Sequence, residues 1–144
     1  MTRVDFYLLP TDEPVARLQL VCRLAGKAFA SLRRLHIHAA TPAECALLDR
    51  LLWTHEDASF LPHAITHAAD PNYPITLGHT VESLADGMAL INLADDVPSQ
   101  FDCFDQVAEI VDEDPDRKAR SRKHYRLYRE HGCELQHHQL ELTT

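Results

Sequence analysis

VDFYLLPTDEPVARLQLVCRLAGKAFASLRRLHIHA, residues 4–39, is the stretch on which the fold turns. Residues 4–9 are mostly apolar or aromatic and are stopped by Pro10, which cannot donate to a sheet ladder. From residue 14 to 32 the apolar side chains of Val15, Leu18, Val21, Cys22, Ala25, Phe29 and Leu32 recur at steps of three and four. That spacing gathers them on one face of a helix. Residues 35–39 are again short and strand-like. A strand, a helix and a second strand in succession make a crossover unit whose two strands run parallel.

The pattern continues outward from this unit. Thr41, Pro42 and Glu44 predict a helix start, with Thr41 as N-cap, Pro42 at the first helical position and Glu44 closing a capping box. This helix runs to Trp53 and is followed by a loop holding Phe60, Leu61, Pro62 and His63 and by a polar stretch to Pro74. Residues 75–78 and 88–93 read as strands, and residues 104–111 as a third helix. A last helix is expected over 115–131, where Gly132 is placed to end it. The expectation is an α/β fold: a single Rossmann-like domain whose mostly parallel sheet, of about four or five strands, is flanked by helices.

The net charge of −8 is unevenly spread. Residues 117–129 hold seven Lys or Arg and no acid, so of 14 basic residues only 7 (14 − 7) remain elsewhere to face all 22 acidic ones. An acidic body of this kind disfavours non-specific duplex binding, while one basic helix suits a small acidic ligand or peptide. No run approaches the ~18 apolar residues of a membrane span. The N-terminus opens directly into a strand without the apolar core of a signal peptide, so a cytoplasmic location is expected. Cys22, Cys45, Cys103 and Cys133 form no CxxC pair and are expected to be reduced and partly buried.

Phosphate-binding motifs are absent from the sequence: there is no G-x-G-x-x-G, no G-x-x-x-x-G-K-[ST], and the turn after the first strand is acidic and lacks glycine. His36 and His38 alternate on one strand, and His63 and His67 have helical ligand spacing, but no H-E-x-x-H accompanies them. They read as solvated or core-edge histidines, as do His137 and His138 in a polar segment. No G-x-S-x-G elbow is present. The carboxylates at 95–96 and 112–114 fall in turns. No catalytic set, metal or cofactor is therefore expected.

Two surfaces remain. Trp53 and residues 59–63 concentrate large apolar groups at a helix end and its loop; they form an exposed patch or fold back on the core, and both readings stand. On the basic helix, Arg122, Tyr125, Arg126 and Arg129 share one face. Guanidinium forks grip carboxylates while the ring shapes a pocket, with Val111 at the end of the preceding helix as its apolar wall. This suits an acidic peptide with an apolar anchor. A single-stranded nucleic-acid-binding module on the same helix is the alternative, weakened because Tyr125 is the only aromatic on that face. A small hydrolase or metal enzyme would have to draw on His36, His38 or His63.

Three motifs then occur in order across residues 3–132. They are Phe6-Tyr7-Leu8-Leu9, Leu52-Trp53 followed by Ser59-Phe60-Leu61-Pro62-His63, and an R-x-x-Y-[KR]-x-Y-R-x-x-G ending carried by Arg122, Tyr125, Arg126, Tyr128, Arg129 and Gly132. Together they resemble the chi subunits of the bacterial DNA polymerase III holoenzyme. The resemblance implies a chi-like α/β domain over 1–132 with a polar C-terminal tail over 133–144. It implies a non-catalytic adaptor on the clamp loader, with no direct specific DNA binding and no membrane. A psi-like subunit would meet Trp53, Phe60 and Pro62. The acidic C-terminal tail of single-stranded DNA-binding protein would meet Val111, Arg122, Tyr125, Arg126 and Arg129. A repair helicase competing for the Trp53/Phe60 surface is left open. Arg126 stands where the family commonly has Lys, and residues 71–86 and 133 onward match no part of it.

Overall fold

The computed structural model describes residues 2–55, 61–65, 73–79 and 88–140. Its elements are β1 (Arg3–Leu8), α1 (Pro14–Ala30), β2 (Leu35–His38), α2 (Pro42–Thr54), β3 (His63–Ile65), β4 (Ile75–Gly78), β5 (Ala89–Asn92), a 3₁₀ turn (Phe101–Cys103), β6 (Gln106–Val111), α3 (Pro115–Glu130) and β7 (Glu134–Gln139). The strands form one sheet in the order β3-β4-β2-β5-β6-β1-β7, and every pairing is parallel.

The α/β class is as predicted, but among the described residues the sheet has seven strands rather than four or five. Residues 106–111 are strand β6, not a helix. Val107, Ala108, Glu109, Ile110 and Val111 are all buried, because β6 lies between β5 and β1 and is covered on both faces. Such a strand has no polar-out alternation, and Phe104, Val107 and Val111 at steps of three and four imitate a helical stripe. Strand β3 has three residues, too few to show a period. Residues 134–139, within the stretch expected as a polar tail, pair with β1 as the edge strand β7. Polar residues on a sheet edge discourage further pairing.

Strand alternation divides the interior into two layers. Ile37, Leu77, Ile91, Ala108 and Ile110 face α1 and α2, meeting Leu18, Val21, Cys22, Leu48 and Leu52. Val4, Phe6, Leu90, Val107 and Val111 point the other way, against Tyr125 and Tyr128 of α3. The helix ends follow the local sequence. Thr41 Oγ1 accepts from the Glu44 amide at 3.1 Å, and Glu44 reaches back to the Ala40 amide at 3.0 Å, one residue before the position a capping box specifies. Asp114 caps α3 by accepting from the Arg117 amide at 3.0 Å, with Pro115 at the first helical position. Gly132, at φ +76°, ends α3 in a Schellman turn: Cys133 N–H donates to Tyr128 C=O and Gly132 N–H to Arg129 C=O. That reversal starts β7 alongside β1. Among the described residues, no helix is long and apolar enough to cross a membrane.

Candidate functional site

Parallel register sets Leu8 beside Val111 and Phe6 beside His137. Helix α3 crosses this patch and lays Tyr125 on it, its ring centroid 5.7 Å from Phe6 and 5.4 Å from His137. Phe6 and His137 stack at 5.4 Å with 19° between their planes. Between helix and sheet lies a hollow of ≈ 180 Å³, floored by Phe6, Leu8, Val111 and His137 and walled by Lys118, Ser121, Arg122 and Tyr125. An apolar cavity of ~150 Å³ takes a benzene ring, so this space accommodates an aromatic-sized side chain.

The charges around the hollow are sorted by their partners. Arg117 grips the buried Asp112 carboxylate at 2.6 Å, Lys118 pairs with Glu113 at 2.8 Å and Arg120 reaches Asp95 at 3.4 Å. Arg122, Lys123, Arg126 and Arg129 have no ion pair among the described residues and are exposed. Self-repulsion along α3 is thus relieved over its first turns by acids from outside the helix, and its second half stays uncompensated. The uncompensated charge begins at Arg122, on the wall of the hollow.

Of the residues predicted from the sequence, the hollow brings together Val111, Arg122 and Tyr125. Val111 is the last residue of β6 and not a helix end. Arg126 and Arg129 extend the cationic flank of α3 beyond the hollow without lining it. Phe6, Leu8, Lys118, Ser121 and His137 were missed. Alternation along β1 puts Phe6 and Leu8 on one face and could have nominated them; His137 is found only through the strand register.

Beneath the site α3 is fixed by a buried polar network. The Glu109 carboxylate accepts from Tyr128 Oη at 2.5 Å and from Asn92 Nδ2 at 2.9 Å, and its other oxygen lies 3.0 Å from His124 Nδ1. His124 Nε2 lies 2.7 Å from the Asp95 carbonyl. Both partners of this imidazole are acceptors, so both nitrogens act as donors and the ring is cationic. Burial disfavours that charge, but the Glu109 hydrogen bond and charge, with the Asp95 carbonyl, outweigh it and raise the His124 pKa. Burial and the Glu109 charge raise the Tyr128 pKa as well, so its hydroxyl remains a donor.

Comparison with known proteins matches residues 1–136 to the family described as DNA polymerase III chi subunit, HolC. The chain belongs to the chi-subunit family of DNA polymerase III. The DNA polymerase III subunit chi of Pseudomonas aeruginosa is 39% identical over 140 residues, covering 97% of this chain and 98% of that protein. The subunit chi of Escherichia coli is 28% identical over 141 residues, and that of Haemophilus influenzae 26% over 134, each covering more than nine-tenths of both chains.

In this chi-family chain the second predicted surface is only partly described. Trp53 is 55% exposed at the end of α2, with its ring 4.3 Å from that of His63. His63 Nδ1 lies 2.8 Å from the Leu61 carbonyl, and its Nε2 lies 3.3 Å from the Asp49 carboxylate without hydrogen-bond alignment. Pro62 is exposed beside buried Leu61, and Ile65, on the same face of β3 as His63, is 53% exposed. Phe60 and His67 lie outside the described residues. His36 is fully buried, with Nδ1 2.7 Å from Thr76 Oγ1, and burial pushes its pKa down to about 4.

Proposed function

We propose that this chi-family chain is a non-catalytic replisome adaptor in the cytoplasm, joining the clamp loader to single-stranded DNA-binding protein. The α3 hollow receives the acidic C-terminal tail of that protein. Its terminal apolar side chain enters between Tyr125 and Val111, and its carboxylates meet Arg122 with support from Arg126 and Arg129. The Trp53 surface, with Pro62 and Phe60, docks a psi-like subunit that ties the chain to the clamp loader. The observation that carries the reading is an aromatic-sized hollow whose wall bears an exposed guanidinium with no ion pair among the described residues. Such a short-peptide interface is small, so affinity around micromolar and a marked salt dependence are expected.

Calorimetric titration with a short peptide ending in Asp residues and a C-terminal Phe tests the reading. Turning an attraction of ~1 kcal/mol at a solvent-exposed charge into a repulsion of equal size costs ~2 kcal/mol, or roughly 30-fold. Arg122→Glu should therefore weaken binding by about that factor without changing thermal stability. Binding within threefold of wild type in this variant, or no binding by wild type at low salt, would sink the tail assignment. Oligo(dT) binding in the absence of peptide binding would instead favour a nucleic-acid ligand for the same helix.

A further inference from the structure

On the other face of the sheet, where α1 turns into β2, lies a second hollow of ≈ 200 Å³. Leu24 and Ala28 of α1 wall it, and Leu35, Ala89 and Ala108 line it from three neighbouring strands. The small side chains at 28, 89 and 108 leave the space open. Lys27 and Arg33 are among the lining residues, and no Asp or Glu is. Arg33 Nη2 is buried with no hydrogen-bond partner among the described residues, a donor in want of an acceptor. Asp5, whose charge reaches Tyr7 at the edge of this hollow, is already held by Arg3, Gln106 and His138. In a chain of net charge −8, residues 18–43 carry four basic residues and no acid.

The turn beside the hollow adds an independent observation. Arg33 N–H donates to Ala28 C=O and Leu32 N–H to Phe29 C=O, the same Schellman arrangement that ends α3. At α3 the left-handed position is Gly132; at α1 it is Leu32, at φ 58° and 93% exposed. A branched residue is disfavoured in that conformation, and an apolar side chain held out in water gains nothing for the fold. Phe29, on the preceding turn, is also exposed. Apolar groups held outward beside an empty apolar hollow with a cationic lining are complementary to one kind of partner.

We propose that this corner is a second docking site, for an acidic protein segment that carries one large apolar side chain. That side chain fills the hollow over Ala28, Ala89 and Ala108, the flanking carboxylates meet Lys27 and Arg33, and Leu32 covers the segment from outside. The site is independent of whatever the α3 hollow binds, since the two lie on opposite faces of the sheet.

The test uses the full chain with ¹³C-labelled alanine and leucine methyls. It is titrated at low salt with a pentapeptide, Asp-Asp-Trp-Asp-Asp, blocked at both ends so that it has no terminal carboxylate. The methyls of Ala28, Ala89, Ala108 and Leu32 should shift saturably. Arg33→Glu should weaken the binding at least tenfold, and Arg122→Glu should leave these shifts in place. Leu32→Gly should raise the melting temperature while weakening binding severalfold, a pairing of effects that a purely structural Leu32 would not produce. The proposal is overturned if these methyls do not move at millimolar peptide, if Arg33→Glu or Leu32→Gly binds as wild type does, or if the shifts vanish with Arg122→Glu. It is equally overturned if oligo(dT) moves the methyls and the peptide does not.

Discussion

Replacing His124 by Leu would remove the positive partner of a carboxylate that is almost wholly out of water. Glu109 is 3% exposed and His124 7%. Deleting one member of a buried pair costs about 3–5 kcal/mol, most of it from the charge left behind. Glu109 keeps Asn92 and Tyr128 as donors, so the lower end, about 3 kcal/mol, is expected. At about 2–4 °C per kcal/mol for a domain near this size, the melting temperature should fall by about 10 °C. The loss also depends on pH in a defined direction. His124 has a raised pKa in the folded chain, so its contribution is complete below the unfolded value of about 6.5 and fades as pH rises through the folded pKa. Urea unfolding of wild type and His124→Leu should therefore differ most at pH 6 and least at pH 9. A double variant, Glu109→Gln with His124→Leu, should regain part of the loss, because the unpaired carboxylate is gone while the amide oxygen still accepts from Tyr128 and Asn92. A deficit under about 1 kcal/mol, or one of equal size at both pH values, would refute the cationic assignment of His124.

Other outcomes follow from single positions. His36 is buried neutral with a folded pKa of about 4, so the unfolded chain binds more protons and stability should fall as pH drops from about 6.5 toward 4. With about 1.36 kcal/mol per pKa unit the loss reaches about 3 kcal/mol, and His36→Gln should flatten this acid limb in urea titrations at pH 4.5 and 7. Gly132→Ala should cost about 1 kcal/mol in urea unfolding, because a Cβ there meets nothing within 4 Å and only the left-handed backbone is penalised. Trp53→Ala should lower stability by no more than about 1–2 kcal/mol, since the ring is half exposed, yet abolish binding of a psi-like partner in pull-down of purified proteins.

What was legible in the sequence was whatever local chemistry enforces. The Pro-led starts of α1, α2 and α3, the Thr41 cap and the Gly132 stop appear where the residues put them. Strands β1, β2, β4 and β5 stand out because short apolar runs are bounded by breakers. Strand β6 was misread because burial on both faces erases the two-residue period, and β7 because an edge strand can be polar throughout. The candidate site divides along the same line. Arg122 and Tyr125 are neighbours on one helix and visible by spacing. Phe6 and His137 are 131 positions apart (137 − 6), and only the β1–β7 register brings them together. Arg126 and Arg129 share the helical face but lie beyond the hollow, along the part of α3 where Tyr125 and Tyr128 pack onto Phe6.

The placement of β1 between β6 and β7 has a bearing on how the chain is made. Neither hydrogen-bonding neighbour of the first strand exists until residues 106–111 and 134–139 have been synthesised. Residue 106 follows residue 8 by 98 positions (106 − 8), and at ~5–20 residues per second the ribosome takes roughly five to twenty seconds to cover that distance. Throughout that interval Val4, Phe6 and Leu8 belong to a strand with two open edges, the kind of segment that chaperones capture and that nascent chains aggregate through. The floor of the α3 hollow closes only when β7 docks. A nascent chain stalled before residue 134 would thus carry the arginines of α3 without the His137 side of the hollow beside them.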